Sequence, residues 1–220
     1  MATFDMMSTM MQEVERENMK KTAVLSLLLV LSLLLAACSN YDFKAQTNYV
    51  IDDFSATNQH GETVSLEDLK GKPWLAMFMF TNCTTICSPM TYNMTAIQDK
   101  LQEQGVEDYH IVAFSVDPAR DTPEVLTDYF SFYEAADESK WHFLTGYDQA
   151  FIEQFAVKSF KSLVKMPQDT DQVIHANTFY LVDEQGIAVK NYAGYSDEDG
   201  GVPVDTIAID MKTLIKERLQ

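Results

Sequence analysis

Apolar residues along the chain fall into short continuous runs separated by stretches where they recur every three or four positions. Trp74-Leu75-Ala76-Met77-Phe78-Met79-Phe80 contains no polar side chain, as expected of a strand buried on both faces. From Ser88 the pattern changes: Met90, Met94, Ile97 and Leu101 recur at four-three-four spacing, which predicts a helix with one buried face, stopped at Gly105. His110 to Val116 reads as a second buried strand. Thr122-Pro123-Glu124 predicts a second helix, with Thr122 as N-cap and Pro123 in the first turn. A short strand is predicted over Phe143 to Thr145 and a short helix over Asp148 to Val157. Thr178 to Val182 and Ala188 to Tyr192 flank Asp183-Glu184-Gln185-Gly186, a hairpin signal. A last helix is expected from Val204 to Leu219. The alternation predicts an α/β domain.

The first forty residues follow a different pattern. Lys20-Lys21 precedes an uncharged, Leu-rich run, Thr22 to Ala37, ending in Leu35-Ala36-Ala37-Cys38. A basic start, a short apolar stretch and small residues before a cut are the parts of a secretory signal. The run is shorter than the ~20 residues a spanning helix needs, which argues against a retained membrane helix. Small residues leading into a cysteine resemble the lipobox of bacterial lipoproteins, which implies a diacylglyceryl thioether on Cys38 and cleavage before it. Residues 1–38 are therefore expected to be the signal, 39–49 a polar tether and 50–220 the folded domain. The protein would sit on the outer face of the cytoplasmic membrane. Met1 to Asn18, with Glu13, Glu15 and Glu17, are unlike a signal start, which would begin naturally at Met19.

Charge narrows the partners. The 220 residues carry a net charge of −17, which argues against nucleic acid, whose phosphates it would repel. It would steer a basic partner or simply maintain solubility. A monomer is the default expectation.

With Cys38 assigned to the lipid, Cys83 and Cys87 are the cysteines left, in Thr81-Asn82-Cys83-Thr84-Thr85-Ile86-Cys87 at the end of the first core strand. Outside the membrane such a pair forms a disulfide unless it is kept reduced or holds metal. If helix begins within the loop, positions i and i+4 share a face, and both sulfurs meet the positive end of the helix, which stabilises thiolates. Two thiolates select a soft ion such as Cu(I) over Mg²⁺ or Ca²⁺, whereas structural zinc takes four protein ligands. A structural disulfide remains the competing reading. The end of a buried strand, where α/β sites form, favours a functional pair. His175, just before the hairpin, would complete a Cys2His set across the sheet end. Met90 and Met94 continue the cysteine face, but their spacing is that of core packing. His60, His110 and His142 have no partner pattern.

The order strand, cysteine loop, helix, strand, helix, hairpin, terminal helix is that of a thioredoxin-like fold. Phe54 to Leu66 is expected to add an N-terminal hairpin, and Lys158 to Val173 is an insertion before the last hairpin. The chain resembles the SCO/SenC proteins over Phe54 to the last helix. Four stretches carry the resemblance: Thr81 to Cys87, Ser115-Val116-Asp117-Pro118-Ala119-Arg120-Asp121-Thr122-Pro123, Phe143-Leu144-Thr145-Gly146, and the segment around His175. One departure is visible, Ser88 standing between Cys87 and Pro89 where the family usually has proline directly after the second cysteine. The resemblance implies copper, as Cu(I) or Cu(II), on Cys83, Cys87 and His175. It implies a metallochaperone for the dicopper centre of cytochrome c oxidase subunit II, loaded by a copper donor or served by a thiol reductant yet to be identified. A thiol–disulfide oxidoreductase is the alternative, with Cys83 attacking and Cys87 resolving, and a copper or redox sensor is a third reading. Asp117, at the end of the second core strand, is a candidate to hydrogen-bond His175 or tune a thiolate. The competing role for Asp117-Pro118 is to shape the turn before the next helix, capped by Asp121 or Thr122.

Overall fold

The structure, a computed structural model, describes residues 41–198 and 200–218 together with Arg16 and Met19. Cys38 and, those two residues apart, the expected signal lie outside the described residues. Among the described residues, no helix is long and apolar enough to cross a membrane.

In chain order the strands and helices are β1 (Tyr49–Val50), β2 (Ser55–Thr57), β3 (Thr63–Ser65), α1 (Leu66–Leu69), β4 (Trp74–Met79), α2 (Cys87–Glu103), β5 (His110–Ser115), α3 (Pro123–Phe130), β6 (Trp141–Leu144), α4 (Gln149–Phe160), β7 (Val164–Lys165), β8 (Ile174–His175), β9 (Thr178–Val182), β10 (Ile187–Ala193) and α5 (Val204–Arg218). The described central sheet has the order β1-β10-β9-β4-β5-β6. β4, β5 and β6 run parallel, whereas β9 pairs antiparallel to β4 and to β10. This is the thioredoxin-like arrangement the element order predicts.

Every residue of β4 is buried because both faces of the sheet are covered. Trp74, Ala76 and Phe78 share one face by strand alternation. On that face the Phe114 ring lies 5.3 Å from Phe54, 5.7 Å from Phe78, 5.1 Å from Phe155 and 5.9 Å from Phe160. Leu75, Met77 and Met79 point to the opposite face and are equally buried. Met90, Met94, Ile97 and Leu101 form the buried stripe of α2, which packs against α5. The two methionines are thus core residues.

The N-terminal hairpin forms as expected, β2 pairing with β3. Its Thr57 exchanges two 2.8 Å backbone hydrogen bonds with Thr145. Gly146 follows with φ 84°, and a Cβ there would stand 2.8 Å from Thr57 Oγ1; the close approach requires glycine. Gln59, in the hairpin turn, holds β6 with its carboxamide. Its Nε2 donates to Trp141 O at 2.9 Å and its Oε1 accepts from Phe143 N at 2.8 Å.

Several boundaries differ from expectation, β6 covering Trp141–Leu144 in place of Phe143 to Thr145. α2 starts at Cys87, so Cys83 is in the preceding loop and not on a shared helix face. α4 runs on to Phe160, ended by Lys161 in the left-handed region at φ 54°. A non-glycine residue there gives no local stop signal. Within the insertion Val164 and Lys165 form a strand that pairs with His175 and Ile174 just beyond its expected end, so His175 lies on the return strand of a short ribbon. Upstream, Gln46 N and Thr47 N donate to Val189 O, and Thr47 Oγ1 donates to Ala188 O. Part of the segment expected as a tether therefore lies along β10.

Candidate metal centre

β4 delivers the chain to the C-terminal edge of the sheet, where Phe80 ends the apolar run. Cys83 N donates to Phe80 O at 3.3 Å, turning the loop so that the Cys83 sulfur faces the start of α2. Cys87 is the first residue of that helix and is 1% exposed, whereas Cys83 is partly exposed. Both are free thiols. The β7–β8 ribbon brings His175 over this edge, its ring packed edge-on against Phe80 at 5.8 Å. The imidazole Nε2 lies 3.3 Å from Cys87 Sγ. One donor atom from each of Cys83, Cys87 and His175 lies within 4.8 Å of the others. The structure thus brings together the three residues the sequence singles out.

The tautomer follows from the partner on the far side of the ring. His175 Nδ1 is 3.0 Å from Ala176 O, and a carbonyl oxygen only accepts, so Nδ1 carries the proton. In the neutral ring Nε2 then offers its lone pair to the space between the sulfurs. The two thiols share a proton unequally. Hydrogen bonding from the Cys87 thiol pulls the Cys83 pKa far below the usual thiol range, outweighing the opposite effect of its partial burial. The same hydrogen bond, with burial second, pushes Cys87 well above it. In the metal-free pair, the hydrogen bond between the sulfurs thus favours the charged form at the more accessible Cys83.

These donors fit a soft ion. Bonds of about 2.3 Å to sulfur and 2.0 Å to nitrogen put ligand atoms roughly 3.5–4 Å apart, so a shift of about 1 Å closes the set. Two thiolates and one imidazole leave a further coordination position free, unlike a closed four-ligand structural zinc site.

Around the ligands a polar frame joins three segments. The buried Asp121 carboxylate accepts from Thr81 Oγ1 at 2.5 Å, from Thr81 N at 3.3 Å and from Ser115 Oγ at 2.5 Å. It ties the root of the cysteine loop to the end of β5, and burial raises its pKa. Arg120 extends from the same turn to Asp171 at 3.3 Å and to Asp117 at 3.6 Å. Asp171 accepts from Asn82 Nδ2 at 2.8 Å, and neighbouring Gln172 bonds Asn82 and Thr84. Thr122 caps α3 through Val125 N and Pro123 occupies its first turn, as the motif predicts. Asp117 is 4% exposed, and among the described residues no hydrogen bond joins it to Cys83, Cys87 or His175. Its amide instead donates to Ser115 Oγ and its carbonyl accepts from Arg120 N and Asp121 N, the turn-shaping role. Asp121 and Gln172 are site residues that sequence reasoning passes over, the first as a cap candidate and the second without remark.

The SCO1/SenC family model matches residues 43–206. A SCO1 protein homolog of Bacillus subtilis (strain 168) is 46% identical over 181 residues, covering 82% of this chain and 91% of that protein. A solved structure of BsSco, a member of the Sco family of cytochrome c oxidase assembly proteins in which a disulfide switch has been identified, is 46% identical. It aligns with a TM-score of 0.70, covering 79% of this chain and 98% of the other. Arabidopsis thaliana ScoI, solved with copper bound, is 27% identical with a TM-score of 0.62, covering 76% of this chain and 99% of that one.

Proposed function

The chain belongs to the SCO1/SenC family, and from that premise we propose that it is a copper-binding protein of cytochrome c oxidase assembly, holding copper on Cys83, Cys87 and His175. The observation that carries this reading is the convergence of two sulfurs and one imidazole nitrogen within 4.8 Å, with Nδ1 held by Ala176 O so that Nε2 faces the sulfurs. Copper is the cargo in this reading. The partly exposed Cys83 is the ligand an incoming donor atom reaches first, while the buried Cys87 keeps hold. Transfer then proceeds by stepwise ligand exchange through the coordination position that three ligands leave free. The acceptor proposed is subunit II of the oxidase, at its dicopper site. Cys38, in its lipobox-like setting, is proposed to anchor the protein at the outer face of the cytoplasmic membrane, where such an acceptor lies.

The direct test mixes copper-loaded protein with the reduced, metal-free dicopper domain of subunit II. Appearance of the dicopper absorption, with loss of copper from this protein, supports the reading. No metal movement there, together with oxidation of Cys83–Cys87 and matching reduction of the acceptor when the metal-free reduced protein is mixed with the same domain in its disulfide form, would instead support thiol–disulfide exchange. The lowered pKa of the accessible Cys83 favours that second reading enough to keep it: the Cys83 thiolate attacks a disulfide sulfur, the leaving thiolate takes the Cys87 proton, and the Cys87 thiolate resolves the mixed disulfide as the second sulfur leaves.

A further inference from the structure

Gln172 lies three residues before His175, and its carboxamide is engaged at both ends with the cysteine loop. Oε1 accepts from Thr84 N at 3.2 Å and from Thr84 Oγ1 at 3.2 Å, while Nε2 donates to Asn82 O at 3.0 Å. The carboxamide therefore meets the carbonyl of one residue and the amide of the residue two further on. That is the bonding a neighbouring β-strand would supply. The fold uses the same device elsewhere, where Gln59 pairs with Trp141 O and Phe143 N on the outer edge of β6. A carboxylate cannot donate and a lysine cannot accept, so neither could make both bonds, whereas the amide side chain makes them from one plane. Asp171 adds a third link by accepting from Asn82 Nδ2 at 2.8 Å. The residues bridged, Asn82 and Thr84, flank Cys83 on either side.

We propose that Gln172 is a positioning residue of the metal centre: its carboxamide locks the Cys83 loop to the segment carrying His175, so that sulfurs and imidazole are presented as one preorganised set. The proposal rests on the assignment of Cys83, Cys87 and His175 as copper ligands for its consequence, but not for its structural content. Among the described residues, no other side chain of the His175 segment bonds the loop backbone on both sides of Cys83. Without the amide, Asp171 holds only the Asn82 side chain, and the Cys83 sulfur moves independently of the ring.

The test compares Gln172→Leu and Gln172→Glu with the unaltered protein, metal-free and copper-loaded. Leucine matches the side chain in size and makes neither bond; glutamate keeps the bonds from Thr84 and loses the one to Asn82 O. In the metal-free reduced protein, amide hydrogen exchange at Thr84 is expected to speed up about tenfold or more in Gln172→Leu, with glutamate between, while thermal stability changes little. In the loaded protein, copper release is expected to accelerate about tenfold in Gln172→Leu, with a shifted thiolate–Cu(II) absorption. Exchange at Thr84 and copper release both at the unaltered rate in Gln172→Leu would overturn the proposal. If the unaltered protein binds no copper, the assigned function fails, and the Thr84 exchange rates still decide whether Gln172 locks the loop.

Discussion

Replacing Asp121 with alanine should unfold the link between the cysteine loop and the second core strand. The carboxylate is fully buried and takes Thr81 N, Thr81 Oγ1 and Ser115 Oγ as donors. A hydrogen bond to a charged group contributes ~1.5–3 kcal/mol, and a buried donor left without a partner costs ~1–3 kcal/mol. The two hydroxyls can rotate to other acceptors, but the Thr81 amide cannot. Relief of burying a charge offsets part of the loss, since burial raises the Asp121 pKa. The net is about 3 kcal/mol. With a urea slope of ~2 kcal/mol/M, the unfolding midpoint of the reduced, metal-free protein should fall by about 1.5 M. Asp121→Asn keeps an acceptor for Thr81 N and offers a donor to Ser115 Oγ, so its drop should stay below ~0.5 M on the same slope. The sign with pH is fixed as well. Folded Asp121 keeps its proton to higher pH than the unfolded chain, whose value is near 3.8. Its contribution is therefore greatest below that value and is lost as pH rises through the folded pKa. The gap between the unaltered protein and Asp121→Ala should be wider at pH 4 than at pH 7. An alanine variant within ~1 kcal/mol of the unaltered protein, or a gap that widens as pH rises, would refute the argument.

The core, the turn and the thiolate are open to the same treatment. Phe114→Ala empties the centre of a ring cluster that includes Phe54, Phe78 and Phe155, and should cost ~3–5 kcal/mol in denaturant unfolding; a loss under ~1 kcal/mol would mean the cluster repacks. Gly146→Ala places a Cβ 2.8 Å from Thr57 Oγ1 on a backbone at φ 84° and should cost ~2 kcal/mol, a fall in Tm of roughly 4–8 °C; an unchanged Tm would contradict the close approach. Because hydrogen bonding from Cys87 holds the Cys83 pKa far down, iodoacetamide should alkylate Cys83 about as fast at pH 6 as at pH 8. A thiol at its ordinary pKa would slow about a hundredfold over that range, tenfold per pH unit, and such a fall would show that the proton is not shared as described.

Long, strongly patterned elements are legible in this chain because burial on both faces leaves β4 and the middle of β5, Ile111 to Phe114, without polar residues. The stripe of α2 and the Thr122-Pro123 start of α3 declare themselves by local chemistry. What stays hidden is short or non-local. β7 and β8 are two residues each, too brief for any periodicity, and their pairing is what carries His175 to the sulfurs. Lys161 ends α4 in a conformation usually left to glycine, so the helix is read three residues short. The start of α2 at Cys87 leaves Cys83 in the loop, although four-residue spacing suits a helix face equally well. The three metal donors are readable because their chemistry is scarce in the chain. Asp121 and Gln172 are common residue types whose bonds to the cysteine loop span 40 or more positions, and no local pattern marks them. Asp117 is the reverse case: its place at the strand end invites a role at the metal, and its backbone bonds are those of a turn.

The central claim, copper on Cys83, Cys87 and His175, is tested most directly by titrating the reduced protein with Cu(II) beside His175→Ala. One equivalent bound with strong thiolate–Cu(II) absorption, lost or greatly weakened in His175→Ala, is the expected result. Equal stoichiometry and an unchanged spectrum in the variant would contradict it, leaving two cysteines as the whole of the site.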